Sequence, residues 1–225
     1  NGDTNNLCFA GGVSLNSVVM GKMLDWFPDK NIYITPTPHD GGLTIGAAQL
    51  VWHQKLDNPR IIWEDNYTPY LGADHSNLVE TTIDGFKHLV ESKVVTDEDV
   101  VDLLDKQNIV AVFGGGSESG RRALGNRSIL ADPRSNEMKE IINEKVKHRQ
   151  WFRPFAPSIL REEVPNWFTE DKDSPYMSFV LLFNEEAKYK VPAVVHFNGS
   201  ARLQTVTEND NESVSYTHLT LPTIY

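Results

Sequence analysis

The chain has 225 residues, of which 40% are apolar and 23% charged, with a formal net charge of −10, a balance that fits an ordinary globular protein of one large or two modest domains. No window approaches eighteen consecutive apolar residues, which excludes a helical membrane span, and the opening NGDTNN lacks the basic start and apolar run of a secretory signal. The single cysteine, Cys8, excludes an internal disulfide framework and fits a reducing, cytoplasmic compartment.

In chain order, residues 6–10 read as a short buried strand, with Cys8 as a small core residue. The strand runs into Gly11-Gly12 and then an apolar-periodic helix from about Leu15 to Phe27, stopped by Pro28. A second strand, Asn31 to Ile34, leads through TPTPHDGG into a helix from about Leu43 to Lys55. Alternating strands and helices predict an α/β sheet. From 57 to 76 the periodicity disappears among Pro59, Pro69 and Gly72, as in a linker between domains. Helical patterns follow near 77–91 and 97–107, the second opened by Thr96-Asp97-Glu98. IVAVF (109–113) reads as a strand, 136–146 as a helix, and YMSFVLLF (176–183) and AVVHF (193–197) as strands. The Thr-rich, nearly uncharged stretch 213–225 breaks with the acidic TENDNE before it and reads as a non-native tail. The chain starts without Met just before an apolar run, so it reads as a fragment truncated at both ends.

Charge is unevenly placed. Between Arg121 and Arg153 stand nine Lys or Arg against Asp132, Glu137, Glu140 and Glu144, a local surplus of five in a chain whose remainder carries −15. Such an inversion points to an anionic ligand, with a solvated helix face as the alternative. The acidic remainder argues against nonspecific nucleic-acid binding.

Three constellations carry chemistry. FAGGVSLNSVVMG (9–21) puts two glycines at a strand-to-helix turn, where backbone N–H groups approach a phosphate, or where a plain tight turn forms. In PTPHDGGLTIGAA (36–48), Asp40 either caps the following helix or ligates a metal. The seven histidines include no pair at i, i+4, so no complete His-based metal site is visible. GGGSESGRRALGNRSILADPR (114–134), followed by NEKVKHRQWFRPFAPSIL (143–160), combines glycines with Arg122, Arg127, Lys147 and Arg153. Arginine grips phosphate bidentately and lysine as a point charge. Trp151, Phe152 and Phe155 offer walls for an adenine or form ordinary core. Basic residues among aromatics also suit RNA, but the glycine-rich turns favour a small phosphorylated ligand.

With FAGGVSLN, PHDGGLTIGAA, SGRRALGNRSILADPR, VKHRQWFRPFAP, SPYM and GSARLQTV in this order over most of 6–206, the chain resembles the O-carbamoyltransferases of nodulation-factor and antibiotic biosynthesis. The resemblance implies an actin/Hsp70-type (RNase H-like) ATPase domain ending at residue 56, a linker over 57–76, and an incomplete YrdC-like twisted-sheet domain over 77–212. It implies that the parent enzyme joins ATP and carbamoyl phosphate into carbamoyl adenylate and passes the carbamoyl group to a hydroxyl of a small molecule or sugar. A bound divalent metal of iron type takes part, and Mg accompanies ATP. Position by position, Asp40 matches the metal ligand. Gly11, Gly12 and Asn16 match the nucleotide turn, while Asn126, Arg127, Ser128 and Met177 match residues lining the nucleotide and carbamoyl phosphate site. Arg122, Lys147, Arg153 and Arg202 match its catalytic cations. Arg121 replaces the family's usual Pro, and the family's Asn-Thr-Ser-Phe-Asn segment, expected after 212, is absent, so the fragment alone is expected to be inactive. The hydrogenase-maturation carbamoyltransferases share both module types and remain the alternative enzyme reading; an RNA-binding YrdC-like module is the alternative binding reading. The sequence leaves a homodimer open.

Overall fold

Residues 4–60 and 69–209 are described by a computed structural model. Strand β1 (Asn6–Phe9), helix α1 (Ser17–Trp26) and strand β2 (Asn31–Ile34) form a β-α-β unit. Its strands pair in parallel from Asn6↔Asn31 to Phe9↔Ile34. Helix α1 begins at Ser17 because Asn16 caps it, its side chain accepting from the Val19 N–H at 3.2 Å. Helix α2 (Gly42–Leu50) runs on into a wider π-type turn, Val51–Lys55.

Beyond it lie α3 (Val79–Phe86) and α4 (Asp97–Asp105). Thr96 and Asp99 close a capping box at the start of α4, as the sequence predicts. Strands β3 (Val110–Phe113) and β4 (Arg127–Leu130) pair antiparallel around the long 114–126 loop. After α5 (Met138–Ile141) and a second π-type turn, Ile142–Val146, come β5 (Ser158–Leu160), α6 (Val164–Trp167), β6 (Phe179–Leu182), α7 (Ala187–Lys190) and β7 (Ser200–Val206). β7 is the middle strand of a mixed sheet, parallel to β5 and antiparallel to β6. The architecture is α/β, as expected.

The main core lies on this sheet. Val164, Ala201 and Leu203 are fully buried there, and Phe168 stacks on Phe183 with ring centroids 4.5 Å apart. Met20, Ile32 and Ile34 of the first unit join the same core. Helix α1 lies so close to β6 that a Cβ on Gly21 would overlap the Val180 carbonyl. A smaller core gathers Met138, Ile142 and Ala193.

Several expectations are corrected. Cys8 is exposed: β1 presents Cys8 outward while Phe9 packs partly against the core. Residues 193–197 are not a strand. Pro192 opens a 3-10 turn, Pro192–Val194, and the Ala193 N–H is spent on the Pro133 carbonyl, leaving no ladder to join. β4, β5 and β7 are strands that the sequence pattern does not announce. β7 is buried on both faces, so Ser200, Gln204 and Thr205 are interior polar residues and the alternation that would flag a strand is absent. The stretch 213–225 lies outside the described residues.

Candidate anion site at a three-arginine cluster

The 114–126 loop is organised by an internal anion. One oxygen of Glu118 accepts from the backbone N–H groups of Leu124 at 2.7 Å, Asn126 at 3.0 Å and Arg127 at 3.3 Å. Arg127 is tied to the same loop. Its guanidinium donates to the carbonyls of Gly114 at 2.6 Å, Asn126 at 2.8 Å and Gly115 at 3.2 Å, and lies over the Phe113 ring at 3.8 Å. Asn126 donates to the Gly116 carbonyl, and the Ser128 hydroxyl accepts from the Gly125 N–H. These three side chains shape the loop through bonds to its own backbone. The glycines likewise make room for the chain itself: a Cβ on Gly116 would crowd the carbonyls of Tyr70 and Gly72, and one on Gly120 the carbonyl of Pro36.

That close approach at Gly120 seats the basic loop against Pro36 and Thr37 of the first unit. Arg122 reaches across and donates to the Leu15 carbonyl at 3.0 Å. Ser17 donates to the carbonyl of Met177, a buried residue held at φ +54°. Gly11, Gly12 and Asn16 therefore lie on the segment that carries Leu15 and Ser17 to this seam. Gly11 has φ +99°, a conformation that suits glycine, and its N–H donates to the Pro38 carbonyl. The Asn16 side chain is used as the α1 cap.

Asp40 is exposed at the start of α2. The cap position falls to Gly41, and no side chain caps the helix, so the capping alternative is not realised. Among the described residues, no three His, Cys, Asp or Glu side chains gather as a metal-binding group. Asp40 by itself does not make a metal centre.

The charge concentrates at Arg202 on β7. Its Nε is buried and has no hydrogen-bond partner among the described residues. Burial, then the neighbouring Arg122 and Arg149, push its pKa down to about 10. Burial also lowers the Arg122 pKa, and burial together with Arg153 lowers that of Arg149. Arg149 is fixed by the fully buried Asn143, whose side-chain oxygen it reaches at 2.6 Å, and its guanidinium lies 4.8 Å from the Phe155 ring centroid. Asn143 in turn donates to the Trp151 and Arg153 carbonyls, both at 3.0 Å, and so holds the 149–153 turn. Among the described residues no carboxylate pairs with Arg122, Arg149 or Arg202. The contrast is with Arg134, paired with Asp132 and Asp105, and Arg161, paired with Asp171 and Asp173.

Of the four predicted cations, Arg122 and Arg202 thus come together. Lys147 and Arg153 are exposed, and Arg153 lies close enough to Arg149 to repel it. Arg149 was not singled out by sequence reasoning beyond its share in the charge surplus. His196 was missed altogether. Its Nε2 is buried and has no hydrogen-bond partner among the described residues, while the ring feels Arg202, the Phe155 backbone and Lys139. Trp151 and Phe152 are exposed and meet edge to face at 6.0 Å. A separate, mainly apolar cavity of about 240 Å³ lies beside the cations, lined by Ile129, Met138, Phe155, Ile159 and Phe168 among others. None of the three clustered arginines lines it.

Two family models match in the order of the chain: the carbamoyltransferase N-terminus at residues 1–49 and the carbamoyltransferase C-terminus at 101–220. The chain belongs to the carbamoyltransferase family. An uncharacterized protein of Synechocystis is 40% identical over 92% of the chain, which spans 38% of that relative. Nodulation protein NolNO of Sinorhizobium fredii is 38% identical over 92% of the chain and 31% of its own length, and nodulation protein NolO of Bradyrhizobium diazoefficiens 37% over 91% and 38%. The chain therefore spans about a third of the length of these relatives. The arginine cluster and His196 fall in the C-terminal match, and Gly11 through Asp40 in the N-terminal one. Among the described residues, no helix is long and apolar enough to cross a membrane.

Proposed function

We propose that this carbamoyltransferase chain carries the carbamoyl phosphate and ATP site of an enzyme that forms carbamoyl adenylate and passes the carbamoyl group to a hydroxyl of a small molecule or sugar. The observation that supports it best is the trio of Arg122, Arg149 and Arg202 without a carboxylate partner. Burying a charge without a partner is costly; that applies above all to Arg202, the most deeply buried of the three, and an anionic ligand removes the cost.

In this reading Arg202, with its unpartnered Nε, takes a phosphoryl oxygen at the centre of the cluster. Arg122 links that anion to the 11–16 turn through the Leu15 carbonyl. Arg149, oriented by Asn143 and Phe155, is pre-positioned and loses little freedom on binding. Lys147 and Arg153, both exposed, draw the second anion, ATP with its Mg, toward the site. Two anions held together would otherwise repel; fixed cations offset that repulsion and stabilise the charge that develops in displacement. Gly11, Gly12, Asn16 and Met177 border the seam along which the nucleotide lies. Asp40 serves as one ligand of an iron-type divalent metal whose remaining ligands come from elsewhere in a full-length carbamoyltransferase. The chain alone then binds without turning over.

Calorimetric titration with carbamoyl phosphate tests the reading. Binding by the 225-residue chain, reduced at least about tenfold in Arg202→Met through loss of a charged hydrogen bond, is the expected result. Unchanged affinity in that variant refutes the site.

A further inference from the structure

Gln204 stands on β7 two residues beyond Arg202, about 7 Å along the strand. Side chains alternate along a strand, and Ala201 and Leu203 are buried in the main core, so Arg202 and Gln204 share the opposite face. The Gln204 side chain is buried, and both ends of its amide are used. One end lies 2.9 Å from the Leu124 carbonyl, which can only accept, so that end is the NH2 group. The other end, the oxygen, accepts at 2.8 Å from the hydroxyl of Ser158, its register partner on β5. The amide therefore ties two strands of the sheet to the basic loop.

Leu124 is the fixed point of that loop. It is 2% exposed and packs with Tyr176 and Met177. Its N–H donates to Glu118, and its carbonyl accepts from the Tyr70 hydroxyl at 2.8 Å as well as from Gln204. Arg122 lies two residues before this point, and its guanidinium donates to the Leu15 carbonyl. It is thus held by its backbone near Leu124 and by its head at Leu15. Of the three side chains that bond Leu124, Gln204 alone belongs to the strand that carries Arg202. A carboxylate in its place would set oxygen against oxygen at Leu124 and put a negative charge on the face of Arg202. The neutral amide grips the loop and leaves the charge of both arginines to a ligand.

We propose that Gln204 is a positioning residue whose hydrogen bond to the Leu124 carbonyl sets Arg122 against the face of β7 that carries Arg202, so that one phosphoryl group meets both. The proposal rests on the arginines being the site of the phosphoryl group. Gln204 itself touches no ligand; it acts through Arg122, which it places without pairing with it. Pre-positioned in this way, the guanidinium loses little freedom when the anion arrives.

The test is a double-mutant cycle, read by calorimetric titration of carbamoyl phosphate into the 225-residue chain. Gln204→Met keeps the length of the side chain, removes both hydrogen bonds and is expected to weaken binding roughly tenfold. In the Arg122→Met background the same change is expected to cost less than about twofold, since no guanidinium is left to place. Losses of similar size in both backgrounds overturn the proposal, because Gln204 would then act on the fold at large. Tyr70→Phe removes the second donor to the same carbonyl without altering β7, and so keeps the proposal refutable if Gln204→Met does not fold. Its smaller loss, about threefold, should likewise vanish without Arg122; a loss that persists there overturns the proposal. Binding that Arg202→Met weakens and Gln204→Met leaves intact overturns the role of Gln204 and leaves the phosphoryl site standing. Failure of the unaltered chain to bind carbamoyl phosphate overturns that site, and this inference with it.

Discussion

The first unit, residues 4–60, and the sheet of β5, β6 and β7 use apolar residues in opposite ways. On the sheet, Leu203 and Leu181 are almost completely enclosed, and β7 is buried on both faces. In the first unit, α2 buries no residue, and Leu43, Leu50, Val51, Leu56 and Trp52 all stand exposed. What interior the unit has, through Met20, Ile32 and Ile34, is borrowed from the sheet. The lesson is that α1 and β2 are held by tertiary packing, whereas α2 is held by its own backbone hydrogen bonds.

The widest gap between the two regions should appear on truncating equivalent side chains. Leu203→Ala is expected to cost about 2–5 kcal/mol in urea unfolding, whereas Leu43→Ala, 70% exposed, changes stability by no more than about 0.5 kcal/mol. Equal losses would mean that α2 is packed after all. Charge gives a smaller contrast of opposite sign. Arg202 is strained by burial beside two like charges, so Arg202→Met should raise the ligand-free stability by about 2 kcal/mol. A loss of stability would show that Arg202 has a partner when no ligand is present. The smallest effect separates local from tertiary support at α4. Thr96→Ala removes half of the capping box and should cost about 1 kcal/mol, while thermal unfolding of the sheet stays a single transition.

How much of this was legible in the sequence depends on the range of the forces involved. The Thr96 cap and the Asn31–Ile34 strand were readable because their signals are local. β7 was not, because burial on both faces replaces alternation with an interior polar sequence. Arg122 and Arg202, 80 positions apart, were placed in one site only by resemblance to a family; no periodicity links them. Arg127 shows the opposite difficulty. Composition marks it as a free cation, yet its bonds go to carbonyls of Gly114, Gly115 and Asn126, which depends on how the loop closes. His196 carried no signal at all, since its burial and its contact with Ser200 depend on how the 196–200 turn closes.

Glu118 has a consequence for how the basic loop responds to its surroundings. A carboxylate tethered a few residues from the N–H groups it binds acts at a high effective concentration, in the millimolar range or above for short links. Dissolved phosphates and organic acids must compete with that built-in rival for the loop's amides. Fluctuating solute levels should therefore leave the loop's shape alone and register only at the arginines, which keeps the shape of the site constant while its occupancy varies.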